Sequence, residues 1–203
     1  EIINTPEDKF ETVLFLPEGE NRKGEGGLRT KGYFKKSFDD KPLISIITVV
    51  FNGEKYLEET IQSVINQTYS NVEYIIIDGG SSDGTLDIIK KYEDMIDYWV
   101  SERDKGISDA FNKGIKIAKG DYINFQGDGD GFISSDALEK VFKGINPNED
   151  IFVSARIRRI SPNGEELYKS KYVENFDKKS LLFRMSMPHQ GLFTHKSYFE
   201  KYG

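Results

Sequence analysis

The sequence predicts a layered α/β fold in which a mostly parallel sheet carries helices on both faces. From Pro42 onward, short apolar runs alternate with segments whose apolar residues recur at helical spacing. The first two runs, at 43–51 and 72–77, are rich in β-branched residues, which is typical of strands covered on both faces. Three successive crossovers of this length imply parallel strands joined in the right-handed sense.

The elements of this first half follow one another regularly. Asn52-Gly53 after the first run is suited to a tight turn, and Asp83 in a Gly- and Ser-rich turn is suited to capping the second helix. A third helix is predicted from an apolar stripe between Ile107 and Ala118. In chain order we predict strands at 43–51, 72–77, 96–100 and 122–126, with helices at 54–67, through Leu86, Ile89 and Tyr92, and at 107–118 between them.

The second half of the chain is less regular. The segment Ser161-Pro162-Asn163-Gly164 predicts the turn of an antiparallel hairpin. Further elements are a short helix at 135–142, hairpin strands at 150–160 and 167–173, a helical segment at 176–185, a last strand at 190–194 and a helix that starts at 196.

Composition excludes several classes of protein. With 203 residues the chain can form one core and a smaller attached element. The absence of cysteine excludes disulfides, thiolate zinc sites and cysteine nucleophiles. A net charge of -6 argues against general nucleic-acid binding. A mean hydropathy of -0.55 without a long apolar run argues against a membrane span, and we expect a soluble protein.

Residues 1–40 differ from the rest, and we predict a polar N-terminal arm followed by one domain at 41–203. A short apolar piece at 12–16 precedes a stretch rich in glycine and charge at 18–36. Two interpretations stay open: a solvated or partly disordered strap on the domain surface, and a basic contact with an anionic membrane.

Polar side chains follow the predicted strands directly, with Asn52, Asp78 and the pair Asp128/Asp130 each just beyond a strand end. In open α/β sheets, ligands bind at the edge formed by the carboxyl ends of the strands. Two acids one residue apart suit a divalent cation, Mn²⁺ or Mg²⁺, that keeps coordination positions for phosphate oxygens. An acidic surface turn is the alternative for Asp128-Gly129-Asp130, but the strand-end convergence favours a site.

Nucleotide chemistry explains these residues together. A diphosphate beside carboxylates needs a cation, and Asp78 could accept hydrogen bonds from a base or ribose. Neither a Gly-x4-Gly-Lys-Ser/Thr loop nor a complete Gly-x-Gly-x-x-Gly after the first strand is present, which argues against kinases, ATPases and dinucleotide oxidoreductases. A metal with a nucleoside diphosphate therefore indicates transfer of a group attached to that diphosphate.

From about Pro42 to Gly203 the chain resembles the family 2 glycosyltransferases, which have the GT-A fold. The resemblance rests on four segments in order, at 46–52, 77–85, 104–114 and the Asp-x-Asp segment at 128–130. It implies inverting transfer from a nucleotide sugar, with a UDP-sugar expected, to a glycan or lipid-linked acceptor in bacterial surface-polysaccharide synthesis. It also implies a cytoplasmic protein, associated through such an acceptor with the inner face of the inner membrane.

The same resemblance implies roles for individual residues. Residues around Val49 and Phe51 line the base pocket and Asp78 contacts the base. Asp109 and Asn112 lie near the ribose or diphosphate. Asp130 matches the metal ligand, and Asp128 serves as a second ligand or nucleotide contact.

The chain departs from the family pattern in two places. Many relatives have Asp-Asp where this chain has Gly129-Asp130, so Asp128 is expected to substitute for the missing neighbour or the nucleotide contact is altered. The family's general base is a carboxylate in a segment beyond the one that resembles 188–191, and we expect it beyond Gly203. Residues 1–203 would then bind nucleotide sugar and metal but transfer the sugar poorly.

Other polar residues have open assignments. His189 is predicted either to touch the acceptor or the diphosphate or to pack under the sheet edge. Arg156, Arg158 and Arg159 could meet phosphate, but a solvated hairpin face is favoured.

Two other functions stay open, a nucleotidyltransferase and a non-catalytic binding module, whereas Asp128-Gly129-Asp130 after the fourth strand does not fit a receiver-type domain. A nucleotidyltransferase would need an early basic cluster, and the turn after Asn52 offers only Lys55. A receiver-type signalling domain would need a lysine at the end of its last strand. A non-catalytic nucleotide-sugar-binding module would share the site but lack turnover.

Overall fold

The structure is a computed structural model that describes residues 12–19, 21–149, 151–170 and 188–202. Most predicted elements are present in these ranges, and the predicted helix at 176–185 lies outside them. The strands are β1 (Gly24–Gly26), β2 (Ile44–Val50), β3 (Val72–Asp78), β4 (Tyr98–Ser101), β5 (Tyr122–Gly127), β6 (Phe152–Ser154), β7 (Arg158–Ile160), β8 (Glu166–Lys169) and β9 (Leu192–His195). The helices are α1 (Leu57–Ile65), α2 (Thr85–Lys91), α3 (Ile107–Ile117), α4 (Ala137–Phe142) and α5 (Lys196–Tyr202).

The main sheet of the described residues has the order β1-β4-β3-β2-β5-β9-β6. Strands β4, β3, β2 and β5 are parallel, whereas β1 pairs with β4 and β9 pairs with β5 in the antiparallel sense. The chain moves from β2 outward to β3 and β4, then returns to place β5 on the other side of β2. This reversal creates a crevice at the carboxyl ends of β2 and β5, where open α/β sheets bind ligands.

Helices cover both faces of the sheet, as the sequence predicts. One apolar cluster joins inward residues of β2 and β3 to α1, α2 and α4, with Leu57, Ile61 and Ile89 fully buried. The other joins the opposite face to α3 through Ile47, Ala110 and other small or β-branched residues. Covering both faces explains why most residues of the central strands are apolar, whichever face they lie on.

The segment before Pro42 contributes to this sheet. Strand β1 pairs with β4, and the buried Arg29 donates to Glu73 Oε1 at 2.7 Å and to the carbonyl of Leu14 at 2.8 Å. Glu73 also accepts hydrogen bonds from Ser45 and from the backbone of Lys119. This part of the segment therefore belongs to the folded sheet, while the division of the chain at residue 40 stays a prediction.

The predicted hairpin differs from the observed one. The first predicted strand, at 150–160, is divided: β6 joins β9 in the main sheet, and only β7 pairs with β8 around the turn at 161–164. At the division, Gly191 lets the chain before β9 approach Ala155 closely. The amide of Ala155 donates to Gly191 O at 2.7 Å, and a Cβ at Gly191 would lie 2.4 Å from Ala155 O. Periodicity along the chain contains no signal for this contact.

We predict that Arg29→Met destabilises the fold by about 3–5 kcal/mol, because it leaves the buried Glu73 carboxylate without its cation. Both side chains are 2% exposed. The free energy of unfolding is measured by urea titration, followed through the fluorescence of Trp99, the single tryptophan. Lys31→Met is the matched control, because its partner Asp94 is largely exposed and the loss should be close to undetectable. Equal losses in both variants would contradict the importance of the buried pair.

Candidate functional site

The loops that follow β2 and β3 are locked together at the carboxyl edge of the sheet. Asn52 has a left-handed backbone with φ of 54°. Its amide donates to Ser81 Oγ at 2.7 Å, and its side-chain oxygen accepts from the amide of Ser82 at 2.9 Å. The predicted turn at Asn52-Gly53 is therefore also the contact that sets the relative position of the two loops.

Asp78, at the end of β3, holds the loop after β3 through hydrogen bonds. Its carboxylate is fully buried and accepts hydrogen bonds from the hydroxyl and amide of Ser81 and from the hydroxyl of Ser101. Both oxygens are thus engaged within the protein. In this structure Asp78 positions the loop at 79–82, and its predicted contact with a base stays a prediction.

Phe51 and Val49 have different environments. Phe51 is 65% exposed at the end of β2, whereas Val49 is buried in the apolar layer beneath α3. Gly79 lies beside the Phe51 ring: a Cβ at Gly79 would be 3.4 Å from that ring and 2.6 Å from an oxygen of Asp104. An exposed aromatic ring over a side-chain-free backbone offers a flat surface on which a planar ligand can stack.

Lys23 reaches this edge from the N-terminal segment. Its ammonium group donates to the carbonyls of Gly80 at 2.9 Å and Ser81 at 2.8 Å. Its own amide donates to Ser101 O at 2.7 Å, next to the β1–β4 pairing. No pattern in the sequence singles out Lys23, because a lone lysine in a polar segment is usually solvated.

Asp128 and Asp130 lie in a tight turn after β5, held from both sides. The amide of Gly127 donates to Asp130 Oδ2 at 2.9 Å. Thr60 of α1 donates its hydroxyl to Asp130 O at 2.7 Å and accepts from the amide of Gly129 at 2.9 Å. A Cβ on Gly53 would lie 3.0 Å from Asp128 Oδ2, so the turn touches the loop after β2. The turn therefore occupies the crevice between β2 and β5.

Electrostatics at this turn favour a bound cation. Partial burial and the nearby carboxylates of Asp130 and Asp83 raise the pKa of Asp128. Within the described ranges, neither Asp128 nor Asp130 forms an ion pair with a basic side chain, and no cluster of three or more metal-ligating side chains occurs. Two unneutralised carboxylates fit a divalent ion that takes its other ligands from water and from a phosphate group.

The two other predicted nucleotide contacts lie on α3. Asp109 is partly exposed and accepts from the amide of Lys105 at 3.0 Å, near the helix start. Asn112 is exposed one turn further along. Behind them, the buried Glu102 forms ion pairs with Arg22 at 2.8 Å and Lys113 at 2.9 Å, which tie α3 to the N-terminal segment. Both predicted residues are thus accessible, and their role stays a prediction.

His189 and Gln190 form the turn that precedes β9, beside the carboxylate pair. His189 is exposed, with its ring centroid 6.0 Å from that of Phe111. Gln190 Nε2 lies 3.5 Å from Asp130 Oδ1, and its carbonyl accepts from Asn124 and Gln126 of β5. Of the two interpretations of His189, exposure favours a side chain available to a ligand.

A cavity of about 1010 Å³ opens beside Asp130, between the turn before β9 and the β7–β8 hairpin. We call it the hairpin cavity. The residues of its lining that matter below are Gln126, Asp130, Arg156, Arg158, Arg159 and Lys169. The sequence identified the arginines, but it could not show that they share a cavity with Asp130.

The chain belongs to glycosyl transferase family 2, whose family model matches residues 45–200. It is similar to two proteins described as uncharacterized glycosyltransferases. The one from Haemophilus influenzae is 44% identical over 102 residues, which are 49% of this chain and 40% of that protein. The one from Rickettsia typhi is 34% identical over 142 residues, or 69% of this chain and 44% of that protein. The chain thus spans less than half the length of these relatives.

Solved structures confirm the predicted GT-A fold. Staphylococcus aureus TarS in complex with UDP matches with a TM-score of 0.57 and 19% identity, covering 78% of this chain and 48% of that one. A mannosyltransferase from Pyrobaculum calidifontis in complex with GDP-Man and Mn²⁺ matches with a TM-score of 0.58 and 16% identity, covering 80% and 47%. Among the described residues, none of the helices is long and apolar enough to cross a membrane.

We predict that Asp128→Asn raises the thermal midpoint by about 1–2 °C in metal-free buffer. The substitution removes the charge that burial and the carboxylates of Asp130 and Asp83 oppose. Asp136→Asn is the control, because Asp136 is an exposed carboxylate favourably paired with Lys140 at 2.7 Å. It should lower the midpoint slightly or leave it unchanged. A drop in the Asp128 variant, measured by circular dichroism, would contradict carboxylate repulsion at the turn.

Proposed function

We propose that this chain binds a nucleotide-diphosphate sugar, with UDP as the expected nucleotide, and is part of an inverting glycosyltransferase. The acceptor is a glycan or a lipid-linked glycan of surface-polysaccharide synthesis, at the inner face of the bacterial inner membrane. The observation that carries the proposal is the Asp128/Asp130 pair in the crevice between β2 and β5. Family membership and the UDP-bound TarS structure support it.

The nucleotide is proposed to occupy the edge above β2 and β3. The exposed ring of Phe51 offers a stacking surface beside Gly79, and the loop at 79–82 is fixed by Asp78, Asn52 and Lys23. Val49, buried beneath α3, supports this surface from the core, and its predicted place in the base pocket stays a prediction. Asp109 and Asn112 of α3 are then placed to accept or donate hydrogen bonds toward the ribose or diphosphate.

Asp128 and Asp130 are proposed to hold Mn²⁺ or Mg²⁺ with the diphosphate. When bound, the cation neutralises the charge that develops on the leaving diphosphate. The protein's part is to keep both carboxylates at one place, through the Thr60 hydroxyl and the Gly127 amide, before ligand arrives. Gln190 contacts Asp130 from the opposite side and so links this turn to the hairpin cavity.

The sugar is proposed to project from this turn toward the hairpin cavity, where the acceptor binds. Inverting transfer needs a group that takes the proton of the attacking hydroxyl. We assign this role to none of the described residues. We propose instead that it belongs to the carboxylate expected beyond Gly203. His189, exposed in the turn before β9 with its ring near Phe111, is proposed to contact the acceptor or the diphosphate.

We predict that the chain binds UDP more tightly with Mn²⁺ than without it and that Asp130→Asn weakens the Mn²⁺-dependent binding by at least about tenfold. Titration calorimetry with UDP measures both affinities. Asp136→Asn is the matched control, since it removes an acidic charge six residues away that is already paired. Undiminished Mn²⁺-dependent binding in Asp130→Asn would refute the metal site, and absence of binding by UDP, GDP and dTDP would refute the nucleotide site.

We further predict that Lys23→Met weakens UDP binding about threefold to tenfold, because two carbonyls of the loop at 79–82 lose a cationic donor. Lys23→Arg should retain most of the affinity. Lys36→Met, an exposed lysine of the same segment, serves as the control. If Lys23→Met and Lys36→Met bind UDP equally well, the loop does not depend on this lysine.

A further inference from the structure

One wall of the hairpin cavity is basic, although the protein carries a net charge of -6. Among the described residues, four cationic side chains line the cavity, Arg156, Arg158, Arg159 and Lys169, against the carboxylates of Glu59 and Asp130. A concentration of one sign of charge in a concave surface focuses the electrostatic field and raises the local concentration of the opposite charge. The cavity therefore favours an anionic ligand.

The positive charge of the β7–β8 hairpin lowers the stability of the hairpin itself. Lys169 lies directly across from Arg158 in the β7–β8 ladder, and like charges in that position repel each other. Arg158 is offset by Glu166 at 3.3 Å. In the part of the chain that the structure describes, Arg156, Arg159 and Lys169 form no ion pair. Among the described residues, these three cations therefore line the cavity without a carboxylate partner.

A second, independent feature is an unsatisfied acceptor on a buried side chain that lines the cavity. Gln126 is 2% exposed and lines the cavity. Its Nε2 donates to Asn124 Oδ1 at 2.7 Å and to Gln190 O at 3.0 Å, but its Oε1 has no hydrogen-bond partner in the described residues. A buried oxygen without a donor costs free energy until a ligand supplies one, and a sugar hydroxyl is a suitable donor.

We propose that the hairpin cavity binds an acidic sugar unit of a glycan acceptor. Arg156 and Arg159 hold its phosphate or carboxylate group, and Gln126 Oε1 accepts a hydrogen bond from one of its hydroxyls. The planar guanidinium group matches both kinds of anion through paired N–H donors. The inference rests on the proposed function, because it places the acceptor beside the Asp130 turn where the donor sugar would project.

Binding of soluble oligomers to the 203-residue chain, with UDP and Mn²⁺ present, tests this assignment. The probes are a galacturonate pentamer, a glycerol phosphate pentamer and the neutral maltopentaose. We expect at least one of the two acidic oligomers to bind at least about tenfold more tightly than maltopentaose. In the double variant Arg156→Gln/Arg159→Gln, this difference in affinity should disappear. Lys169→Gln should weaken the same binding by a smaller factor. UDP affinity should be unchanged and the thermal midpoint should not fall in any of these variants, which separates this site from the nucleotide site and from misfolding.

Lys90→Gln/Lys116→Gln is the matched control, because it removes two exposed positive charges from α2 and α3. Its affinity for the acidic oligomer should stay within about twofold of that of the unsubstituted chain, since distant exposed charges are screened by salt.

Equal binding of acidic and neutral oligomers, or equal loss in both double variants, would overturn the proposal. Arginine-dependent binding to phosphatidylglycerol vesicles without binding of either acidic oligomer would also overturn it, in favour of a membrane headgroup. Acidic-oligomer binding without any UDP binding would preserve the cavity assignment and refute the nucleotide proposal.

Discussion

The rest of the structure depends on the parallel pairing of β2 with a strand on each side. All seven residues of β2 are buried, and the strand is in register with β3 from Ile44 to Val50 and with β5 from Ile44 to Val49. A strand buried on both faces and both edges has no room for an unpaired polar side chain. Polar groups that act on a ligand must therefore lie beyond its end, where Asn52 meets the loop after β3 and Gly53 meets Asp128.

Two opposite charge environments meet beyond that end. Among the described residues, the turn after β5 presents Asp128 and Asp130 without a basic partner. The hairpin beside it presents arginines of which, within the same ranges, only Arg158 forms an ion pair. Among the described residues, no ion pair joins Asp128 or Asp130 to these arginines. A ligand pair consisting of a metal-bound diphosphate and an anionic acceptor would match both environments, whereas a single small ligand would match one of them.

The N-terminal segment has a larger part in this arrangement than its composition indicates. It lies before the part of the chain that the family model matches, at 45–200. It nevertheless supplies an edge strand, the buried Arg29 and the Lys23 contact to the loop after β3. Attachment of Lys23 and Arg22 to residues that follow β3 and β4 couples this segment mechanically to the proposed nucleotide edge.

The sequence by itself determined the α/β class, the alternation of strands and helices along the chain, and the acids at the strand ends. These features are local: apolar periodicity, turn dipeptides and strand-terminal polar residues are all read within a few neighbours. The tertiary structure alone decided that Gly24–Gly26 forms a strand, that the predicted strand at 150–160 divides between two sheets, and that Asp78 is buried beneath its loop. It also decided that the hairpin arginines share a cavity with Asp130. Each of these depends on contacts between residues far apart in sequence, such as Arg29 with Glu73 and Ala155 with Gly191, and no local pattern encodes such a contact.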